Sequence, residues 1–424
     1  MTYVAMVIFW FMPLYGFVTV WAAHLFGGYT AIRLIPETLL AVCVLCLLYL
    51  LFTDQKIRGH TLTRRLVWVI LLFCGLTTVW GVFAQARGLV SLKALGYGLI
   101  VDIRPLAFFL VTWAIAVRTN RLRAPWLRLV LVPAAIVIMF GLLQVFVLPR
   151  NFLSHFGYGP NTIPVFETIN HNVQYVRIAS TLRGANPLGA FLIVPLSILA
   201  VLWARDRRQW YYATLFVGGL VVLYFSFSRS AWIGAAISLA IIGFAVLKKN
   251  QQKGKGLYLL GAVLIVVGCL LYGLRDNAHV QNILYHTQNH SAIATTSDGG
   301  HATALKSGVH DIVHDPLGRG PGSAGPASVY NNHPARIAEN FYIQIGEEVG
   351  WFGLALYILL NLGIGYLLWL RRDDPLAFAM FASFIGLTFV NLLSHAWADD
   401  TLAYIWWGYA GIALAPYDKT KDKI

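Results

Sequence analysis

One arginine stands between two long apolar stretches of the sequence. Arg229 lies in the segment FSFSRSAWIG, which contains no acidic residue. Three serines surround it: Ser226, Ser228 and Ser230. A guanidinium binds phosphate oxygens in a bidentate manner, and serine hydroxyls can donate further hydrogen bonds. The segment therefore predicts a phosphate-binding turn, and the alternative is an interfacial arginine that contacts lipid headgroups.

Two further arginines come just before a predicted helix. The segment YVRIASTLRGANPLGAFL contains Arg177 and Arg183, followed by Asn186 as the predicted helix cap and Pro187 as the first helical residue. Cations close to a helix N-terminus suit an anionic ligand. Both arginines are therefore predicted to bind an anion, and the alternative is that they pair with acidic residues of the same loops.

Two charged residues occur inside an apolar stretch. Asp102 and Arg104 lie in LIVDIRPLAFFLV. A charged side chain at the centre of a membrane helix costs at least about 2.5 kcal/mol, so such residues are usually functional. Asp102 and Arg104 are therefore predicted substrate contacts, and a structural ion pair that fixes the helices is the alternative.

Carboxyl groups that could act as a general base come later in the chain. Glu339 directly precedes a predicted helix, and Glu347 and Glu348 follow it closely. Removal from water raises the pKa of a carboxylate, which suits it to accept a proton from a sugar hydroxyl. For Glu339, a helix-capping role shared with Asn340 is the alternative.

Histidines are concentrated in one region. Seven of the 12 lie between residues 279 and 333, and His310 and His314 have the i,i+4 spacing that can bind zinc from one helix face. The region has neither a HExxH motif nor a neighbouring cysteine, and histidines are common in solvated loops. We therefore predict no metal and no cofactor.

Membrane-spanning helices must position all of these residues. The chain has 424 residues, 58% apolar and 12% charged, which excludes a soluble globular protein. Apolar runs long enough to cross a hydrocarbon core of about 30 Å recur along the chain. The fold class is therefore all-α polytopic, with residues 1–424 as a single integral membrane domain. The predicted spans are 4–26, 34–52, 66–83, 97–117, 129–148, 188–204, 210–227, 231–247, 257–274, 350–370, 376–396 and 402–416.

The net charge of +14 follows this topology. Clusters of Lys and Arg occur after every second predicted span, and together with their neighbouring acids they account for the whole excess. Lys and Arg in short loops mark the cytoplasmic side, so both termini are predicted to lie inside. No basic surface is left for a nucleic acid. The clusters lie at 56–65, 118–128, 205–208, 248–255, 371–372 and 419–423.

Two long segments fall on the opposite side of the membrane. Residues 149–187 and 275–349, the latter between predicted helices 9 and 10, are too long for simple connectors and are predicted to form the active-site region. Within the second, residues 299–314 have apolar side chains at helical spacing and end at Asp315-Pro316. An amphipathic helix at the membrane surface is therefore predicted there.

Five segments together resemble the family of O-antigen ligases and O-antigen or capsule polymerases. Members of this family are multi-span glycosyltransferases that act on glycans carried by polyprenyl pyrophosphate. The resemblance extends over about residues 97–370. The matching segments are VDIRPLAFF, VRIASTLRGANPLGAFL, SFSRSAWIG, HDPLGRGPGSAG and ENFYIQIGEEVGWFG.

The resemblance implies a site at the outer face of the cytoplasmic membrane, where arginines hold the donor pyrophosphate. Arg177 and Arg229 would be the main pyrophosphate ligands. Many members have His-Asn where this chain has Glu339-Asn340. The base that activates the acceptor hydroxyl would then be Glu339 or the nearby His333. Further substrate contacts would come from Arg183, Arg104, Asp102, Arg319, Asn340 and Ser228.

The implied reaction is transfer of a lipid-linked glycan to a glycan or lipid acceptor, next to membrane lipids. A polymerase is favoured slightly, because Glu339 departs from the usual histidine. An O-antigen ligase that transfers to a lipid A core or a protein is the alternative. A solute transporter of the bicarbonate type is a further alternative, which predicts inverted repeats and broken helices near the bilayer midplane. Neither is evident in the sequence.

Overall fold

The protein is a bundle of helices with little β-structure in the residues that the structure describes. This computed structural model describes residues 1–62, 64–169, 172–206, 208–249, 297–337 and 339–416. Within these ranges, nine helical segments are long and apolar enough to span a membrane. The predicted helical membrane architecture is confirmed at this level. The count of twelve spans and the inward termini stay predictions.

The first half of the bundle follows the predicted spans closely. The first span is interrupted by a 3-10 turn at Met12–Leu14 that contains Pro13. Proline lacks the N–H that a helix needs and clashes with the preceding turn, which explains the break. The helices are α1 (Thr2–Phe11), α2 (Tyr15–Phe26), α3 (Tyr29–Arg33), α4 (Ile35–Thr53), α5 (Gln55–Leu62), α6 (Arg65–Ala86), α7 (Leu92–Arg118) and α8 (Trp126–Phe146).

The second half begins with an antiparallel hairpin inside the segment predicted as a long loop. Its strands are β1 (Glu167–Ile169) and β2 (Asn172–Arg177). The helices that follow are α9 (Ala185–Arg205), α10 (Trp210–Phe225), α11 (Arg229–Lys249), α12 (Ser297–His314), α13 (Phe341–Leu370), α14 (Pro375–Leu393) and α15 (Asp400–Leu414). The predicted span 257–274 lies outside the described residues.

Helix α13 begins at Phe341, earlier than the predicted span 350–370. The carboxamide oxygen of Asn340 accepts hydrogen bonds from the N–H groups of Tyr342 (3.0 Å) and Ile343 (3.1 Å). Such a cap satisfies N–H groups that have no partner inside the helix. The helix start predicted just after Glu339 is confirmed, and the apolar run that marks the membrane span begins later because the first turns of α13 contain polar and acidic residues.

Helix α15 lies at the centre of the bundle, and all of its residues are buried. It packs along α7, where a Cβ atom added at Gly411 would lie 2.3 Å from Oγ1 of Thr112. A Cβ added at Gly408 would lie 2.5 Å from the ring of Phe108. Small residues of this kind let two membrane helices approach closely. The close approach fixes α7 and α15, which both carry charged residues of the site described below.

The bundle has two chemically different ends. At one end, Nε of Arg118 lies 3.0 Å from Oδ2 of Asp54, and Arg123 pairs with Asp374. These contacts bring several predicted cytoplasmic clusters together, and we call this the basic end. Helices α9, α11, α13 and α15 begin at the opposite end, which we call the site end.

Helix α12 corresponds to the amphipathic helix predicted over residues 299–314. Ile312 is buried against α13, where a Cβ added at Gly346 would lie 2.6 Å from its Cδ1 atom. Leu305 and Val309 are exposed. The helix is therefore confirmed, and its place on the membrane surface stays a prediction.

Candidate functional site

Two of the predicted phosphate-binding arginines lie near each other at the site end. Arg177 is the last residue of β2, and Arg229 is the first residue of α11. Burial lowers the pKa of the Arg177 guanidinium; the Glu167 carboxylate opposes this effect, and the nearby Arg229 guanidinium adds to it. Two cations that are distant in sequence therefore share one electrostatic environment.

The Arg177 side chain is held by three different elements. Its Nη1 atom lies 3.4 Å from Oε2 of Glu167 in β1. Its Nη2 atom donates a hydrogen bond to Oδ1 of Asn186 at 2.5 Å, and its Nε atom donates to the carbonyl of Ser226 at 3.0 Å. Asn186 therefore lies inside the first turn of α9 and binds Arg177, whereas the sequence predicted it as the cap. We call Glu167, Arg177, Asn186 and Arg229 the arginine site.

The turn before α11 has a strained backbone. Phe227 has a positive φ of 48°, which is unfavourable for a bulky residue. Its side chain packs with Ile169 and Tyr175 of the hairpin. Ser228, a predicted substrate contact, is 2% exposed, and a Cβ added at Gly189 of α9 would lie 2.9 Å from its Cβ. The starts of α9 and α11 therefore lie side by side, with the hairpin packed against the turn.

Arg104 and Arg183 belong to a second group of charges. Nη1 of Arg104 lies 3.0 Å from Oε1 of Glu37, and the same atom also pairs with Asp400. Nη1 of Arg183 lies 3.0 Å from Oδ2 of Asp400. Its Nη2 atom lies 3.9 Å from Oδ2 of Asp399. We call these five residues the acid–arginine cluster.

The acid–arginine cluster compensates its own charges. Arg104 is 4% exposed, and its Nη2 atom donates to the carbonyl of Ala398 at 3.0 Å. Arg183 lies two residues before the first residue of α9, and the Asp400 carboxylate raises the pKa of its guanidinium. Three carboxylates face two arginines. This arrangement favours the alternative interpretation of Arg104, namely a structural ion pair that fixes the helices.

Asp102 does not pair with Arg104. Residues two apart on a helix do not face each other, so they contact different neighbours. The carboxyl group of Asp102 lies against that of Glu348 on α13, and both side chains are buried. The N–H of Gly322 donates to Oε1 of Glu348 at 2.8 Å. The Asp102–Glu348 contact therefore joins α7, α13 and the loop that precedes α13.

The loop between α12 and α13 contains Gly318, Gly320 and Gly322, and we call it the glycine-rich loop; it packs against a break in α13. Gly350 has a φ of 71° within the helix, so the helical hydrogen bonds are interrupted there. The N–H groups of Arg319 and Gly320 donate to the carbonyls of Glu347 and Glu348, both at 2.8 Å. The loop thus satisfies carbonyl groups that the break leaves without helical partners.

Replacing Gly350 by alanine is expected to lower the free energy of unfolding by about 2–4 kcal/mol. The new Cβ would lie 2.4 Å from the carbonyl oxygen of Pro316, and the positive φ disfavours any side chain. Gly363→Ala on the same helix is the matched control, because its Cβ would meet no atom closer than 4.0 Å. Unfolding of the purified protein in detergent measures both variants, and equal effects would contradict the close fit of the loop.

The two predicted general bases occupy different environments. Glu339 is half-buried directly before α13, where it adopts a positive φ of 53°. The next residue, Asn340, caps the helix, and the N–H of Phe341 donates to the carbonyl of Ser394 at 3.2 Å. Capping is therefore the role of Asn340. Phe341, two residues after Glu339, thus contacts the segment that leads to the acid–arginine cluster, whereas His333 is exposed.

Other residues singled out in the sequence contact neighbouring side chains of the protein. Nε of Arg319 donates to Oδ2 of Asp315 at 2.7 Å. The rings of His310 and His314 stack with centroids 3.8 Å apart. In the described part of the chain, no three His, Cys, Asp or Glu side chains are grouped to hold a metal ion. His279, His286 and His290 lie outside that part.

Fold and site define a multi-span helical membrane protein with charged side chains gathered at one end of the bundle. Residues 214–358 match the family model described as O-antigen ligase. This match confirms the family resemblance for that part of the chain, which contains Arg229, Arg319 and Glu339. A comparison with curated proteins gives no match.

Several residues of the site were missed in the sequence. Glu37, Glu167, Asp399 and Asp400 all contact predicted arginines. A sequence signal existed for Asp399 and Asp400, since two acids directly before an apolar helix are typical of a helix start. No such local pattern pointed to Glu167.

Proposed function

We propose that this protein is a membrane glycosyltransferase that transfers glycan from a polyprenyl pyrophosphate donor to a sugar hydroxyl during surface polysaccharide assembly. The observation that carries the proposal is the convergence of Arg177 and Arg229 beside the starts of α9 and α11. Two guanidinium groups next to helix N-termini suit a pyrophosphate. The O-antigen ligase match over residues 214–358 supports the same chemistry.

The proposed reaction is a direct displacement at the anomeric carbon of the donor sugar. The acceptor oxygen forms a new bond to this carbon while the bond to the pyrophosphate oxygen breaks. Polyprenyl pyrophosphate leaves with the bonding electron pair, and Arg177 and Arg229 stabilise its developing charge. The proton of the acceptor hydroxyl passes to a general base.

Glu339 is the proposed base, and His333 is the alternative. Glu339→Gln keeps the size of the side chain but cannot accept the proton, so it is expected to lower kcat about 10²–10⁴-fold with little change in donor KM. Transfer rates at saturating donor measure the effect. A comparable loss in His333→Gln, with normal kcat in Glu339→Gln, would assign the base to His333.

The remaining predicted residues are proposed to position the site. Arg183 lies two residues before the start of α9, whose Asn186 holds Arg177. Arg104 fixes the same framework through Asp400, a partner that it shares with Arg183. Arg319 and Asn340 already have hydrogen-bond partners within the protein, Ser228 is tightly packed, and the buried Asp102 lies against Glu348, so all four would act in the same way.

The outer face of the cytoplasmic membrane is the proposed location of the arginine site. The basic end carries most of the predicted cytoplasmic clusters in the described residues, and an excess of Lys and Arg in short loops marks the inside. The site end then faces outward, at the depth of the donor's pyrophosphate. The polyprenyl tail would remain in the hydrocarbon region next to the helices.

A polymerase is the preferred form of this activity, because Glu339 stands where many ligases have histidine. Purified protein in nanodiscs is mixed with a polyprenyl-pyrophosphate oligosaccharide, with and without EDTA. A ladder of longer glycans that persists in EDTA is expected, since arginines neutralise the pyrophosphate. Transfer only to a lipid A core or a protein would indicate the ligase. No product from matched substrates, with solute uptake into liposomes, would overturn the proposal in favour of a transporter.

A further inference from the structure

Glu167 makes contacts that resemble those of a bound anion. It lies directly opposite Arg177 in the hairpin register, with Oε2 3.4 Å from Nη1 of the arginine. Its other oxygen, Oε1, accepts a hydrogen bond from the N–H of Ala185 at 3.3 Å. Ala185 is the first residue of α9. The carboxylate therefore bridges a guanidinium and a helix N-terminus.

A phosphate group uses the same two kinds of partner. Helix N-terminal N–H groups and arginine side chains both bind phosphate oxygens, and the helix dipole favours negative charge at this point. Gly184 leaves room for the carboxylate because it has no side chain. A Cβ atom added there would lie only 2.7 Å from Oε1 of Glu167. Glu167 thus takes a position where a donor oxygen would gain the same contacts.

Glu167 is more accessible to solvent than the arginine that it contacts. The Glu167 side chain is 37% exposed, whereas that of Arg177 is 16% exposed. Arg177 also keeps its bonds to Asn186 and to the Ser226 carbonyl without any help from Glu167. The carboxylate can therefore turn into solvent while the arginine stays in place.

We propose that Glu167 is an internal competitor for the pyrophosphate of the donor. Its carboxylate occupies the phosphate position in the free protein and withdraws when the donor binds. Its return after transfer favours release of the polyprenyl pyrophosphate product. This inference rests on the proposed function, because it assigns a regulatory residue to the same donor site.

Binding of inorganic pyrophosphate to the full chain in nanodiscs tests this role. Glu167→Gln keeps an oxygen for the Ala185 N–H and removes the competing charge, so binding is expected to be about fivefold to tenfold tighter. Glu167→Asp keeps the charge and is expected to bind less tightly than Glu167→Gln. Asp54→Asn, which removes a carboxylate from an ion pair at the basic end, is the control and is expected to bind like the wild type.

The outcomes separate this inference from the proposed function. Unchanged or weaker binding in Glu167→Gln would overturn the inference and make Glu167 a residue that only positions Arg177. If Glu167→Gln unfolds at a lower temperature than the wild type, Glu167→Asp is the deciding variant. The inference would also be overturned if Glu167→Asp unfolds like the wild type but binds pyrophosphate far more weakly. Unchanged pyrophosphate binding in Arg229→Gln would contradict the donor site itself.

Discussion

Replacing Arg229 by glutamine is expected to lower the rate of glycan transfer by about 10²–10³-fold, which is typical of removing one group that stabilises transition-state charge. Arg229 begins α11 beside Arg177, in the part of the chain that matches the O-antigen ligase family model. Glutamine removes the positive charge and the bidentate geometry. The nanodisc transfer assay with a lipid-linked oligosaccharide measures the loss.

Two further variants make this result specific. Arg150→Gln is the matched control, because Arg150 lies in the same long segment as the hairpin and donates to the carbonyl of Val173 at 2.8 Å. It is expected to transfer at the wild-type rate. Arg229→Lys keeps the charge but not the planar fork, so an intermediate rate is expected. Wild-type activity in Arg229→Gln would show that this arginine does not act on the donor.

The second large effect is expected for stability. Asp400→Asn should lower the free energy of unfolding by about 3–5 kcal/mol, because it removes the carboxylate that pairs with both Arg104 and Arg183 and leaves Arg183 only with Asp399, at 3.9 Å. Asparagine has nearly the same shape as aspartate, so packing is preserved. Unfolding in mixed micelles with increasing SDS content measures the change.

Burial is the reason for the size of this effect, and Asp54→Asn is its control. Asp54 also pairs with an arginine, but that partner, Arg118, has a side chain 49% exposed. A loss of less than about 1 kcal/mol is expected there. Equal effects of the two single substitutions would contradict the assigned role of the acid–arginine cluster.

Helices were the most predictable part of this protein. Long apolar runs mark membrane spans because every backbone N–H and C=O in lipid must be bonded within the segment. Helices α4, α6 and α8 therefore lie close to their predicted ranges. The start of α13 just after Glu339 was also predicted, whereas the break at Gly350, where the predicted span 350–370 begins, was not.

The residue types in two short segments also predicted part of the site. The residue types in FSFSRSAWIG and YVRIASTLRG pointed to anion binding, and the structure places Arg177 and Arg229 near each other. Their shared environment depends on the hairpin, which was not predicted. Its strands are short, and β1 has only three residues, too few for a periodic pattern.

Partners in the folded protein could not be read from the sequence. Asp102 and Arg104 are two positions apart and were considered as one site, but the helix directs them to different neighbours. Arg104 pairs with Glu37 and Asp400, which lie far away on both sides in the chain. Such contacts depend on how α4, α7 and α15 pack, and a single sequence does not contain that information.

Equilibrium binding of polyprenyl pyrophosphate in nanodiscs tests the central claim most directly, namely that Arg177 and Arg229 hold the donor's pyrophosphate. The wild type is compared with the double variant Arg177→Gln/Arg229→Gln and with the Arg150→Gln control. Binding is expected to be at least about a hundredfold weaker in the double variant, with the control unchanged. Wild-type affinity in a folded double variant would contradict it.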